Sequence, residues 1–479
     1  MIGGLLKSAS RLALVAGAGI IVGGVAMPSA KAADLGGDCC ADLEERVAEL
    51  EATTARKGNR KMSLTVTGQV HRTIIWYDDG HFSKAYYGLD STNSSSRFSF
   101  LGSAKVTPSM SMGFEIVIEI EAGGTSSKVS QLDEDGKVGA QIGGTASFNA
   151  GNVDAYFGDA RRATVWIDFK DIGKFTLGRQ ESAGVVTTID LGGIGLAASS
   201  SFILLNGSFL IRGPAGEFYG ISWGAIGDPA AAQGRTELLR YDSPAWAGFI
   251  LSASIAEAGD YWGAMLRYAG EFSGVRIAAG IGYENVKDKQ TPLVANTFYD
   301  GAARPENKAW GGSLALMHVP SGLFIQGHYN KVTYDDGTPT DAAVACGTCT
   351  TGYWGHSTTA KEDGVTWLVQ GGISKNWFGL GNTALYGEYG KETGFGASTA
   401  AAGRTFAAPA GAGTGVVGVI DTEMTIYGLG ITQNIDAAAS QIYLGYRHFE
   451  ADITRTPAAG GKLSTEDLHV IVGGAVVRF

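Results

Sequence analysis

The sequence predicts an all-β chain, a transmembrane antiparallel β-barrel of about sixteen strands with a short N-terminal coiled-coil helix. Three observations predict it. Glycine is abundant and proline scarce, 72 against 11 in 479 residues. Long segments alternate apolar and polar residues with period two, and the polar face carries repeated carboxylates. The connections between these segments are alternately short and long, as in barrels with tight turns at one rim and extended loops at the other.

Composition removes the competing classes. Charged residues make up 18%, below the roughly 25% of an ordinary soluble domain. At 44% hydrophobic the chain is too apolar for disorder, and its glycines lack the three-residue period and the proline of collagen. The only apolar run near the ~20 residues of a membrane helix lies at the N-terminus. Mean hydropathy is close to zero, +0.05.

Residues 1–32 have the pattern of a secretory signal peptide: Lys7 and Arg11, the apolar stretch Leu12 to Met27, then the small-residue site Ala30-Lys31-Ala32. The mature chain is expected to begin at Ala33. The short apolar core and the cleavage site argue against a retained anchor, and Asp38 before Cys39 argues against a lipoprotein. Residues 33–61 form an N-terminal segment. Within it, Ala41 to Thr54 sets Leu43, Val47 and Leu50 at 4 and 3 spacing among Glu44, Glu45, Arg46 and Glu49, a two-heptad seam. Alone it is too short to be stable in water. It suits self-association, docking onto a periplasmic partner such as the cell wall, or a solvated linker.

From residue 62 to 479 the period is two. Met62, Leu64, Val66, Gly68 and Val70 alternate with Ser63, Thr65, Thr67, Gln69 and His71; Met112, Phe114, Ile116, Ile118 and Ile120 alternate with Gly113, Glu115, Val117, Glu119 and Glu121. A soluble sandwich would cover the apolar face with a second sheet. Export, strand length and the repeated carboxylates favour lipid outside and water inside. Strands are expected near 62–76, 95–106, 111–122, 155–170, 173–180, 235–243, 246–258, 261–270, 274–286, 308–319, 322–334, 364–374, 381–391, 422–434, 439–451 and 467–479. A barrel of this size is wide enough for a water-filled lumen, and an even strand number places both termini on the periplasmic side. Trp76, Tyr77, Tyr268, Trp310, Tyr427 and Phe479 fall near strand ends, where interface girdles lie.

The connection 181–234 differs from the rest. It carries Phe202-Ile-Leu-Leu205 and Phe209-Leu-Ile211, which no solvated loop requires, so it is expected to fold into the barrel and narrow it. Alternation sends Arg97, Arg162, Arg276, Arg447, Glu115, Glu119 and Glu388 to the lumen. Arg or Lys on the lipid face near the midplane would cost roughly 2 to 4 kcal/mol. A net charge of -10 tilts the expected ion preference towards cations.

Other chemistry is poorly represented. Cys346-Gly-Thr-Cys349 has the spacing of a redox or zinc half-motif, but it lies in a Gly/Thr/Ala-rich stretch, and in an exported chain a small structural disulfide is the favoured reading. Cys39 and Cys40 are adjacent and cannot easily bridge each other. A barrel hydrolase would need a nucleophile, base and acid within reach. The nearest candidate, Gly355-His356-Ser357, lacks a partner and a nucleophile elbow. The remaining alternatives are a structural or adhesive barrel and a substrate-specific channel; the last would be marked by an aromatic slide or an arginine ladder, and the sequence offers scattered Tyr386 and Tyr443 rather than a continuous track. No cofactor, metal or nucleotide motif stands out, and the acidic balance argues against nucleic acid.

Three motifs carry a resemblance. Gly173-Lys-Phe-Thr-Leu-Gly-Arg-Gln180 before the long loop, Arg240-Tyr-Asp-Ser-Pro-Ala-Trp-Ala-Gly-Phe249 after it, and the ending Gly473-Gly-Ala-Val-Val-Arg-Phe479 resemble a Gram-negative trimeric porin. Cys39-Cys-Ala-Asp-Leu-Glu-Glu-Arg-Val-Ala-Glu-Leu-Glu51, followed by Ser63 to Val70, is similar to the alphaproteobacterial, rhizobial porin family. The resemblance spans the mature chain. It implies a homotrimer in the outer membrane, loop three constricting each pore, passive diffusion of small hydrophilic solutes, and lipopolysaccharide and the barrel-assembly machinery as partners. Arg97 and Arg162 resemble the wall arginines facing loop three. Asp190 is expected to oppose them. Arg179 matches the arginine closing the Leu-Gly-Arg strand, although alternation sets it on the face of Phe175 and Leu177, so a luminal Arg179 requires the strand to end there. Arg240 matches the arginine before the Tyr-x-Ser-Pro turn, and Phe479 the terminal assembly signal. The loop departs from the family's acidic pattern: its carboxylates are Glu181, Asp190, Glu217 and Asp228, with Arg212 among them.

Overall fold

A computed structural model of the chain describes residues 62–120, 124–132, 160–184, 187–201, 203–227, 235–256, 261–287, 306–334, 363–395, 397, 403–406 and 413–479. The signal-peptide, coiled-coil and cysteine expectations, together with Asp228 and His356, lie outside the described residues.

The strands follow the alternating segments. The first group is β1 (Ser63–Asp78), β2 (Ser83–Asp90), β3 (Arg97–Thr107), β4 (Met110–Glu119), β5 (Ala160–Phe169) and β6 (Gly173–Glu181). The long connection holds β7 (Leu210–Arg212) and β8 (Phe218–Ser222). Then come β9 (Arg235–Asp242), β10 (Phe249–Ala256), β11 (Tyr261–Phe272), β12 (Val275–Lys287), β13 (Glu306–His318), β14 (Leu323–Tyr334), β15 (Asp363–Lys375) and β16 (Thr383–Thr393). The last are β17 (Arg404–Phe406), β18 (Val416–Ile435), β19 (Ser440–Arg455), β20 (Lys462–Leu463) and β21 (Leu468–Arg478).

Among the described residues β7 and β8 form a separate hairpin, while β2, β17 and β20 are short pieces paired alongside longer strands. The other sixteen pair antiparallel in sequence order, and β21 closes on β1 from Gln69 opposite Arg478 to Asp78 opposite His469. Closure removes the sheet edge, so each of the sixteen strands has an antiparallel neighbour on both sides.

The second stave departs from the expected strands. The sequence reading leaves 77–94 as a connection, but β2 returns along the far half of β1 and β3 along its near half. Between them Thr92–Ser94 form a 3₁₀ turn. The run Ser91 to Ser96 has no apolar period to reveal a strand. Side chains of β1 satisfy its backbone instead: Gln69 Nε2 donates to Ser94 O (2.9 Å) and Ser95 O (2.8 Å), and His71 Nδ1 lies 2.8 Å from Ser94 O.

Alternation produces two unlike faces. In β10 Phe249, Leu251, Ala253 and Ile255 are exposed on the outside, while Ile250, Ser252, Ser254 and Ala256 are buried within. Leu64, Val66, Ile116, Val165, Leu177, Leu239, Ile281, Leu314, Ile325, Leu429 and Leu444 extend this exposed aliphatic band around the wall. A soluble monomer does not tolerate so large an apolar surface, whereas hydrocarbon solvates it. Outward aromatic pairs border the band. Trp262–Tyr283, Trp310–Tyr329 and Trp367–Tyr389 lie towards the long-loop rim; Phe175–Tyr241, Phe249–Tyr268 and Phe98–Phe479 lie towards the short-turn rim. Tyr77, expected in a girdle, instead points inward and is buried.

The main apolar core therefore sits inside the barrel. Phe209, Ile211, Ile221, Trp223 and Ile226 of the long connection pack on Ile75, Tyr77, Ile426, Phe449 and Ile453 of the inner wall. The ring centroids of Trp223 and Phe449 are 5.8 Å apart, and those of Tyr77 and Phe209 are 4.8 Å apart.

Candidate functional site

An irregular segment leaves backbone groups outside any ladder, and inside a barrel those that its own turns do not pair are met from the wall. Here the wall supplies them. Ala183 N donates to Ser254 Oγ on β10 (2.8 Å), Ile189 N to Ser313 Oγ on β13 (2.9 Å), and Leu191 N to Gln326 Oε1 on β14 (2.9 Å). Thr188 Oγ1 lies 2.6 Å from His328 Nδ1. Further on, Gly193 O accepts from Thr432 Oγ1 on β18 (3.2 Å) and Gln441 Nε2 on β19 (2.9 Å), and Gly195 O from Asn93 Nδ2 (2.8 Å). Gln370 Nε2 on β15 donates to Ala198 O (2.7 Å), and Arg447 Nη2 on β19 to Ser199 O (2.6 Å). At Gly282 on β12 the carbonyl of Gly184 comes so close that any Cβ would collide with it.

The rest of the segment makes one helical turn, Ile203–Asn206, and the β7–β8 hairpin. Arg212 anchors it. Its Nε lies 2.7 Å from Asp79 Oδ2, and its guanidinium covers the Phe218 ring at 3.9 Å. Tyr219 Oη donates to Ser464 O (2.9 Å).

The inner wall of β3 to β11 carries a connected charge network. Glu119 pairs with Arg161 and accepts from Ser95 Oγ (2.5 Å). Arg162 Nη2 reaches Glu181 Oε2 (2.5 Å) and its Nη1 reaches Glu115 (3.3 Å), while Arg235 Nε meets Glu181 Oε1 (3.1 Å). Arg240 and Arg267 both meet Asp242 Oδ1 at 2.9 Å. Arg240 Nη1 also donates to Glu181 O (3.2 Å), at the root of the segment. Arg97 is buried, opposite Glu119 in register, with Nη2 donating to Ser94 Oγ (3.3 Å).

The residues singled out from the sequence divide accordingly. Arg97, Arg162, Arg240, Glu115 and Glu119 fall in this wall network. Arg447 is inside but on the other side of the segment, paired with Glu388. Arg276 lies at the short-turn rim with Glu271 (3.4 Å), away from the group. Arg179 does not face the lumen. It shares the outward face with exposed Leu177, opposite Glu237 (3.9 Å), because β6 keeps its pairing with β9 past Arg179 to Gln180 and Glu181 instead of ending there, and only Glu181, the last residue of the strand, turns to the inner network. Asp190 does not oppose Arg97 and Arg162 by contact: its oxygens accept from Gly193 N (2.8 Å), Gly195 N (2.7 Å) and Gln326 Nε2 (3.1 Å). The carboxylate of the segment that meets Arg162 is Glu181. Tyr386 and Tyr443 are buried beneath the segment and form no track.

Sequence reasoning missed Arg161, Arg235 and Arg267. Arg267 shares parity with buried Met265 and Ala269, so alternation could have found it. Arg161 could not be found that way. A bulge between Val117 and Ile118 of β4 and Arg162 and Ala160 of β5 turns two successive arginines inward.

The terminal Phe479 joins the barrel ends. Its N donates to Gly68 O (3.0 Å), Gly68 N returns a bond to its O (2.9 Å), and Gly68 leaves room for the ring, which a Cβ would strike.

Solved structures similar to the chain include OmpT of Vibrio cholerae, at 13% identity, TM-score 0.45, covering 88% of this chain and 99% of that one. An anion-selective porin from Comamonas acidovorans is 17% identical, TM-score 0.47, with 87% and 100% covered. Salmonella typhi OmpF in complex with daunomycin is 13% identical, TM-score 0.45, with 88% and 98% covered. At these scores the likenesses add nothing to what the barrel itself establishes. No curated protein sequence matches the chain. Residues 20–467, however, match the family model described as Gram-negative porin; the chain belongs to that family, and its closed barrel is an integral outer-membrane channel for passive diffusion of solutes.

Proposed function

We propose that this porin is a general, size-limited channel whose narrowest passage lies between the arginine–carboxylate wall of β3 to β11 and the segment 182–201. The observation that carries the reading is the row of inward polar side chains, from Ser254 to Arg447, that binds the segment's backbone across the barrel. A segment held at so many points acts as a fixed sieve. A channel for one solute would be marked by an exposed aromatic slide or a ladder of free arginines; Tyr386 and Tyr443 are covered, and Arg162, Arg235, Arg240 and Arg267 are each paired with a carboxylate.

Local charge sets the ion preference. Arg97, Arg161, Arg162, Lys174, Arg235, Arg240 and Arg267 face the wall carboxylates Glu115, Glu119, Asp168, Glu181 and Asp242, seven cations against five anions, a local positive excess despite the net charge of -10. The potential an ion meets in a narrow passage comes from nearby groups, since exposed charges beyond a Debye length are screened. The channel therefore passes anions in preference to cations.

The family's architecture supports a homotrimer with both termini periplasmic, residues 1–32 removed on export, 33–61 free to reach the cell wall, and lipopolysaccharide around the long-loop rim. Phe479 serves as the signal read by the assembly machinery, and the protein is a channel rather than an enzyme. The N-terminal Cys39 to Glu51 motif supports the rhizobial branch of the family.

Planar-bilayer recording of the purified protein tests the reading. Triplet conductance steps, currents that do not saturate with small hydrophilic solutes, and an anion-preferring reversal potential in a salt gradient are expected. Blockade by one solute would replace the general channel with a specific one.

A further inference from the structure

On the outward face near the long-loop rim, alternation and register bring together side chains that a diffusion channel does not require. His448 on β19 faces His469 on β21 and Tyr427 on β18. The His448 ring stacks on Tyr427, with centroids 4.5 Å apart and planes at 24°, and meets His469 edge-on at 4.4 Å. Its Nδ1 lies 3.1 Å from His469 Nδ1, which is itself 2.8 Å from the Tyr446 hydroxyl. The ring is thereby held in one orientation, with Nε2 as its chemical end.

That nitrogen points at two carboxylates. Nε2 lies 3.3 Å from Glu450 Oε1 and 3.3 Å from Asp467 Oδ2, yet it is out of solvent and makes no hydrogen bond. The His448 side chain is only 7% exposed, whereas those of Glu450 and Asp467 are about half exposed, 48% and 49%. Tyr427 Oη donates to Glu450 Oε1 (3.3 Å), so one carboxylate is held as well. One donor atom from each of the three residues lies within 4.8 Å of the others. In a tetrahedral site with bonds of about 2.0–2.1 Å, neighbouring donor atoms stand about 3.3–3.4 Å apart. The two Nε2–oxygen spacings match that edge.

We propose that His448, Glu450 and Asp467 bind a divalent transition-metal ion of the zinc class on the outer wall of the barrel. An imidazole with two carboxylates suits zinc, nickel or copper better than calcium or magnesium, which prefer all-oxygen sets. Three protein ligands leave a position for water or for an anionic group of a neighbouring molecule. The ion ties β19 to the segment entering β21, beside the seam that closes the barrel.

The test is isothermal titration of zinc chloride into the full-length protein, purified in detergent and stripped with a chelator. One saturable site per chain is expected, with at least a tenfold loss of affinity in His448→Ala and in Asp467→Asn. Asp467 precedes β21, so its variant keeps the strand ladder intact, and heat-modifiable gel mobility verifies that each variant is folded. Absence of saturable binding, or equal binding by wild type and both folded variants, overturns the site. Displacement of zinc by an equal concentration of calcium also overturns it, because that outcome describes an acidic surface without imidazole ligation.

Discussion

Arg447 meets Glu388 inside the barrel through two hydrogen bonds, Nε to Oε1 at 2.7 Å and Nη2 to Oε2 at 3.1 Å, with both side chains almost fully buried. The same Nη2 holds Ser199 O, and Gln370 links Glu388 Oε2 (3.0 Å) to Ala198 O. The ion pair thus clamps the segment that crosses the lumen.

Removing one partner of a buried pair strands the other charge, at a cost of about 3–5 kcal/mol. Glu388→Gln is therefore expected to lower the unfolding midpoint in detergent and to make the single-channel current noisier as Ala198 and Ser199 come loose. A wild-type midpoint and a quiet trace would mean that the apolar core holds the segment unaided.

Trp223 is 2% exposed and packs on Phe449. Truncation of a buried aromatic side chain costs about 3–5 kcal/mol, so Trp223→Ala should open residues 203–227 to proteolysis while leaving the wall ladder intact. Limited digestion of the purified protein, followed by mass mapping, reads this directly. Cleavage confined to the other loops would contradict it.

Arg162 and Arg179 share a neighbourhood but face opposite sides of the wall. Arg162→Ala should move the reversal potential in a salt gradient towards cations, and Arg179→Ala should leave it at the wild-type value. A shift of similar size in both variants would show that Arg179 reaches the lumen after all.

Gly282 admits the carbonyl of Gly184 at the root of the segment. A valine there has no room, so Gly282→Val is expected to displace the root from β12 and raise single-channel conductance. The paired variant Gly387→Val, on the outward face of the same sheet where an added Cβ meets only Gly428 O at 3.8 Å, should conduct like wild type, and unequal stability of the two is checked by heat-modifiable mobility. Unchanged conductance in a folded Gly282→Val protein would place the restriction elsewhere.

Much of the wall was legible because period two maps directly onto two solvents. Leu251 and Ile255 must face hydrocarbon, and Ser252 and Ser254 cannot, so a single pass along β10 assigns every side chain. The Ser91 to Ser96 break in the second stave carried no such signal, since its groups are met by Gln69 and His71 rather than by alternation. Arg161 was hidden for a related reason: one bulged residue reverses the parity on which the reading depends.

The sequence by itself determined the class of wall, the inward parity of Arg97, Arg162 and Arg447, and the oddity of a loop rich in Phe, Ile and Leu, because these depend on local period and composition. Only the tertiary structure decided which charges meet. It gave Arg162 to Glu181, Arg447 to Glu388 and Arg212 to Asp79, tied Asp190 to Gln326, and turned Arg179 outward. Those partnerships join residues up to 136 positions apart, as Asp190 and Gln326 are. They follow from barrel closure and from the path of one segment across the lumen, and neither is written in the period of any strand.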